Sequence, residues 1–172
     1  MGSLLVGQSG GPTAVINSTI CGVFKEALKH QEITHLYGAI HGIDGVINER
    51  FIEIKDESNL DLWQTTPGAI LGSVRLRLKK YPEDLQTYEK ILSVFKKYDI
   101  TYFFYCGGND SMDTCNKINH YFKEIGYNCT VLGLPKTVDN DLVETDHCPG
   151  YGSASKIVST MIAEIYHDTS VY

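Results

Sequence analysis

At 172 residues and 19.2 kDa, 42% of them hydrophobic, the chain has room for one domain with a real core and not comfortably for two. Fifteen Lys and Arg against twenty-one Asp and Glu leave a net charge of -6, which argues against a general nucleic-acid or anionic-membrane surface, because such binding neutralises phosphates in quantity. No stretch reaches the roughly 18–20 apolar residues of a membrane span, MGSLLVGQSGG lacks the basic segment of a secretory leader, and Cys21, Cys106, Cys115, Cys129 and Cys148 form neither a CxxC pair nor a zinc spacing, which fits a reducing, cytoplasmic compartment.

In chain order, LLVG at 4–7 reads as a short strand followed by a Gly/Ser loop. Ile16, Ile20, Val23, Phe24 and Ala27 then recur at helical spacing. HLYGAI at 35–40 reads as a second strand, and residues 41–80 are less regular, punctuated by Gly42, Gly45, Gly68 and Gly72. A helix is expected from Pro82, with Glu83 and Asp84 in its first turn, Leu85, Tyr88, Leu92 and Phe95 as its stripe and Lys96 and Lys97 at its end. ITYFFYC at 100–106 is β-branched and aromatic without alternation, so it reads as a strand buried on both faces. Met112, Cys115, Ile118, Phe122 and Ile125 mark a helix closed by Gly126. CTVLGL at 129–134 reads as another buried strand, and Ala154, Ile157, Val158, Met161, Ile162 and Ile165 mark a last helix. HDTSVY ends just after that helix, so the chain reads as a piece of something longer. Strands alternating with helices predict an α/β fold with a mainly parallel sheet, whose ligands bind at the carboxyl ends of the strands.

Three loops follow the three best strands. The first, Gln8-Ser9-Gly10-Gly11-Pro12-Thr13, is neither a Walker loop nor GxGxxG. It reads equally as a tight strand-to-helix turn and as an anion site beside a helix start. In the second, Gly107-Gly108-Asn109-Asp110-Ser111, Asp110 or Ser111 is a candidate N-cap. Asn109 and Asp110 also offer oxygens to a magnesium–phosphate site there. The third, Pro135-Lys136-Thr137-Val138-Asp139-Asn140-Asp141, sets a lysine and two carboxylates at the end of a strand. These residues are hard to explain as core. The lysine suits a phosphoryl group and an aspartate suits a base or metal ligand; a solvated acidic turn is the plainer alternative. Arg75 and Arg77 in GSVRLR share a face if extended, as a charged edge strand or as phosphate ligands. Asp146, His147 and the residues up to Ser153 read most simply as a segment capping the last helix.

Together these loops resemble the phosphofructokinase family. SGGPTAVIN resembles its first glycine loop, LGSVR its phosphate-contacting arginine segment, GGNDS its GGDG or GGDD motif, and PKTVDNDL with TDHCPGYGSA its P-[GK]-T-I-D-N-D signature and the stretch beyond. The motifs occur in family order over nearly the whole chain. The resemblance implies a three-layer α/β sandwich with a mainly parallel sheet, residues 1–172 forming the N-terminal, donor-binding domain of a phosphofructokinase-like fold, with the family's M-G-R motif and C-terminal domain beyond Tyr172.

Two positions resemble the pyrophosphate-dependent branch: Asp110, where ATP-using members resemble GGDG, and Lys136, where they resemble PGTIDND. A carboxylate at Asp110 would occupy and repel the place of the α-phosphate of ATP. Lys136 would stabilise charge on the leaving group. The resemblance thus implies reversible, pyrophosphate-dependent phosphorylation of fructose 6-phosphate to fructose 1,6-bisphosphate, a step of glycolysis. Asp139, Lys136 and Asp110 are the expected catalytic residues, with Asp139 the base. Thr137, Asp139 and Asp141 would place the sugar, and Gly11, Arg75, Gly108 and Lys136 the diphosphate. Mg2+ would sit at Asn109 and Asp141, although an amide stands at Asn109 where the family has an aspartate. A cytoplasmic enzyme, homo-oligomeric at full length, with no nucleic-acid or membrane partner, is expected, and the chain alone is expected to be inactive. An ATP-dependent member tolerating both substitutions and a non-catalytic chain keeping the fold are the alternatives.

Overall fold

Leu4, Leu5 and Val6 lie in a strand, and their side chains alternate between two separate cores. That alternation makes the fold three-layered. The computed structural model describes residues 1–13 and 15–172, so Ala14 of the SGGPTAVIN motif lies outside the described residues. The elements in chain order are β1 (Gly2–Gln8), α1 (Ile16–Ala27), β2 (Ile33–Ala39), α2 (Gly42–Ile47), β3 (Phe51–Glu53), α3 (Leu60–Thr65), α4 (Leu85–Lys97), β4 (Ile100–Gly107), α5 (Asn109–Glu124), β5 (Thr130–Pro135) and α6 (Tyr151–Thr169).

The five strands form one sheet in the order β3-β2-β1-β4-β5. β1 pairs in parallel with both β2 and β4, β4 pairs in parallel with β5, and only β3 is antiparallel. One face is covered by α2, α4 and α5, whose Val46, Tyr88, Phe95, Ile118 and Phe122 pack on Leu5 and Phe103. The other is covered by α1 and α3, whose Ile20, Phe24 and Leu60 pack on Leu4, Val6 and Leu36. Burying these side chains is the main stabilising term, at about 1.5–3 kcal/mol for each large apolar residue.

The α/β sandwich expected from the sequence is present, with four differences in detail. Residues 41–80, read as irregular, contain α2, β3 and α3; each is six residues or shorter, too short for a periodic pattern to register. α4 begins at Leu85, after a turn at Pro82–Asp84, and its buried residues are Tyr88, Ile91, Val94 and Phe95, whereas Leu85 is exposed. β5, read as buried, is an edge strand on which Leu132 is 46% exposed. The stripe of α6 is exposed too, with Ile157, Val158, Met161, Ile162 and Ile165 between 54% and 63% accessible. All five cysteines are free, and burial pushes the Cys106, Cys115 and Cys129 thiols up to about 12. No helix is long and apolar enough to cross a membrane among the described residues.

Candidate active site

Because β1 lies between β2 and β4, the chain leaves β1 in one direction and returns on its other side. The helices that follow β1 and β4, α1 and α5, therefore pack on opposite faces of the sheet, leaving a crevice between them at the carboxyl ends of the strands. The loop after β5 joins those after β1 and β4. Residues 9–13, 74–77, 108–111, 136–139 and the first turns of α6 line a single cavity of about 750 Å3. The first two loops come close because Gly107 has no side chain: a Cβ there would stand 2.9 Å from the Ser9 carbonyl oxygen and closer still to Ser111 Oγ.

The arginine arm is held from beneath by two fully buried amides, Gln8 and Asn17. Gln8 Nε2 donates to Asn17 Oδ1 at 3.0 Å, and Gln8 Oε1 accepts from the Leu71 N–H at 2.9 Å. Asn17 Oδ1 also accepts from the Ile70 N–H at 2.9 Å, and Asn17 Nδ2 donates to the Thr66 carbonyl at 2.7 Å. Ser9 Oγ donates to the Val74 carbonyl at 3.1 Å, and Ser73 Oγ donates to the Gly10 carbonyl. These bonds deliver Arg75 and Arg77 to the cavity. The sequence reading assigned no role to Gln8 or Asn17. The available signal was Asn17's place on the apolar face of α1, three and seven residues before Ile20 and Phe24, where an amide must find partners.

Lys136 is buried, and its ammonium donates to the Gly11 carbonyl. Burial lowers its pKa, and Arg75 lowers it further, while Cys106 and Asp139 act the other way. Thr137, also buried, accepts from the Asp139 N–H at 3.0 Å through Oγ1, and its own N–H donates to the Pro149 carbonyl at 3.1 Å. That contact and the parallel bridge between Thr137 and Gly150 dock the third loop on the start of α6. Asn140, unassigned in the sequence reading, adopts a left-handed φ of 55° and accepts from the Cys148 N–H at 2.9 Å. It closes the loop that presents Asp139 and Asp141, and Asn tolerates that backbone.

Asp110 and Ser111 are not the N-cap of α5; Gly108 is, which puts Asp110 in the first turn. Asp110 Oδ1 accepts from Arg77 Nη2 at 2.5 Å, whereas Arg75 makes no ion pair among the described residues. Of the sequence-predicted site residues, Gly11, Arg75, Gly108, Asn109, Asp110, Lys136, Thr137 and Asp139 all line the cavity. Asp141 does not; its Oδ2 accepts from Asn109 Nδ2 at 2.9 Å. Among the described residues no three His, Cys, Asp or Glu side chains gather as a ready metal cage. Asn109 turns its Nδ2, not its oxygen, toward Asp141, so a hard cation would find the Asp141 carboxylate there and would need the Asn109 amide turned over to add a second oxygen. The cavity thus sets three cations, Arg75, Arg77 and Lys136, against the carboxylates of Asp110 and Asp139, an arrangement that can bind a polyanion and move a proton.

The chain is similar to known proteins. A family profile described as phosphofructokinase matches residues 3–171. The pyrophosphate–fructose 6-phosphate 1-phosphotransferases of Halomonas elongata and Xanthomonas campestris pv. campestris are each 42% identical, over 91% and 98% of this chain and 38% and 40% of their own. The crystal structure of a pyrophosphate-dependent phosphofructokinase from Nitrosospira multiformis superposes with a TM-score of 0.90 at 38% identity, over 97% of this chain and 42% of that one. The chain spans about two-fifths of the length of these relatives.

Proposed function

The chain belongs to the phosphofructokinase family, and from that premise we propose that it is the N-terminal, donor-binding part of an enzyme that phosphorylates fructose 6-phosphate with pyrophosphate. One observation carries the reading: Lys136 and Asp110, the two positions that resemble the pyrophosphate-dependent branch, face the same cavity. Lys136, Arg75, Gly11 and Gly108 hold the diphosphate. Asp139 takes the proton of the sugar 1-hydroxyl as that oxygen attacks the terminal phosphorus. The bond from that phosphorus to the bridging oxygen breaks, and orthophosphate leaves with the electron pair, its charge met by Lys136. Thr137 and Asp141 orient the sugar side of the site. Such transfer is mostly positioning plus charge stabilisation, which suits this set of residues. Mg2+ held by Asn109 and Asp141 would supply charge neutralisation to the phosphoryl oxygens. A cytoplasmic location, suggested by the free thiols, and homo-oligomeric assembly belong to the same reading.

The test is donor choice in an enzyme carrying this chain as its N-terminal part. Wild type is expected to use pyrophosphate and refuse ATP. Asp110→Gly with Lys136→Gly is expected to weaken pyrophosphate use and admit ATP, since one change opens space and the other removes the leaving-group cation. Wild-type turnover with ATP alone, or a double variant that keeps its pyrophosphate activity and still excludes ATP, would overturn the reading.

A further inference from the structure

Arg77 lies two residues past Arg75, and the two arginines behave differently. Arg75 stands without an ion pair among the described residues, while Arg77 donates from Nη2 to Asp110 Oδ1 at 2.5 Å. The Arg77 and Asp110 side chains are 72% and 71% exposed, and both residues line the donor cavity. A pair so open to water adds little to stability. Its place in the cavity has a consequence for binding instead.

A carboxylate in an anion site repels every phosphate donor, small or large. Asp110 sits in the first turn of α5, where the helix N-terminus also favours negative charge. Left alone, its charge would compete with an inorganic diphosphate as much as with a nucleotide. With Arg77 bonded to it, the charge is compensated and what remains is bulk: a side chain standing where a longer donor must pass. Arg75 and Lys136 are left to meet the phosphoryl oxygens.

We propose that Arg77 is a positioning residue for donor choice, acting through Asp110. It holds and neutralises that carboxylate, so that the site accepts a compact inorganic diphosphate and excludes donors extending beyond the second phosphorus, such as nucleoside triphosphates. The proposal rests on the reading of this cavity as a diphosphate site. A direct role, in which Arg77 itself grips the donor, is the competing account.

The two accounts separate in a double-mutant cycle. Equilibrium binding of pyrophosphate and of ATP would be measured on the chain with Arg77→Gln, Asp110→Asn and both together. Arg77→Gln is expected to loosen pyrophosphate by about three- to tenfold at low salt and by less at high salt. In the Asp110→Asn background, the same change is expected to cost under about twofold, because no uncompensated charge remains. Arg77→Lys, which keeps the charge, should retain most of the affinity, and Arg77→Leu, which keeps only the stem, should not. Equal losses in both backgrounds would mean that Arg77 reads the donor directly, and the proposal would fall.

A donor-free measurement stands beside the cycle. Arginine side-chain NMR is expected to show a restrained Arg77 guanidinium in wild type that becomes mobile in Asp110→Asn. A mobile Arg77 in wild type overturns the pairing, whichever donor binds. A wild-type chain that prefers ATP overturns the diphosphate reading and the selectivity built on it, and the spectra still decide the pair. If neither donor binds, the spectra alone decide.

Discussion

The Lys136 ammonium donates to the Gly11 carbonyl across 125 residues of chain, and the main-chain N–H of Lys136 donates to Gly107 at 3.0 Å. One residue thereby ties together the loops after β1, β4 and β5. That bond holds the lysine in place at the cavity, so little side-chain entropy remains to be lost when an anion arrives.

That placement has a pH signature. Burial lowers the Lys136 pKa below its ordinary 10.5. Between the lowered value and 10.5 the unfolded chain binds more protons than the folded one, so this group's contribution to stability rises with pH across that window. Donor binding runs the other way, because it uses the charged form. Pyrophosphate affinity is expected to fall on the alkaline side before an ordinary lysine titrates, and Lys136→Arg, charged throughout, should lack that early limb. Titration calorimetry from about pH 8 to 10.5 checks it; identical alkaline limbs in the two proteins would remove Lys136 from donor binding.

The base is tested at Asp139, which is exposed on the cavity and whose N–H is held by Thr137 Oγ1 at 3.0 Å. In an enzyme carrying this chain, Asp139→Asn should lower kcat by about 10²–10⁴-fold and leave sugar-phosphate binding largely intact. A loss within about threefold would fit a turn-forming role, which Asn fills equally well, and would pass the assignment to Asp141.

Stability is expected to depend heavily on Asn17. Asn17→Ala orphans one end of the buried Gln8 amide, and in partly buried positions the Ile70 N–H and the Thr66 carbonyl. At about 1–3 kcal/mol for a buried group left unsatisfied, and less for groups that water can reach, the loss should be about 2 kcal/mol by urea unfolding. The arm bearing Arg75 should loosen with it, so protease nicking around residues 72–80 is the second readout. An unchanged midpoint would show that water replaces the amide at no cost.

The apolar stripe of α6 is expected to behave as surface. Val158, Met161, Ile162 and Ile165 recur at helical spacing and are all more than half exposed. Ile162→Lys with Ile165→Glu should change unfolding free energy by less than about 1 kcal/mol. Removing part of an exposed apolar patch should also reduce light scattering at high protein concentration. A loss of several kcal/mol would mean that the stripe is buried in solution.

Much of this protein was legible in the amino-acid order. The apolar runs at 4–7, 35–40, 100–106 and 129–134 fall on β1, β2, β4 and β5, and the loops after three of them, two rich in glycine and one in aspartate, bound the cavity. Apolar periodicity and turn chemistry act over a few residues, so they can be read locally. Tertiary structure alone decided the rest. Strand order brought Gly11, Asp110 and Lys136 to one crevice. Pairing across 33 residues chose Arg77 over Arg75 as the partner of Asp110. Gln8 and Asn17 found backbone partners 49 to 63 residues away. β5 and α6 kept apolar residues exposed, because a stripe in the sequence records which face is apolar and not whether anything lies against it.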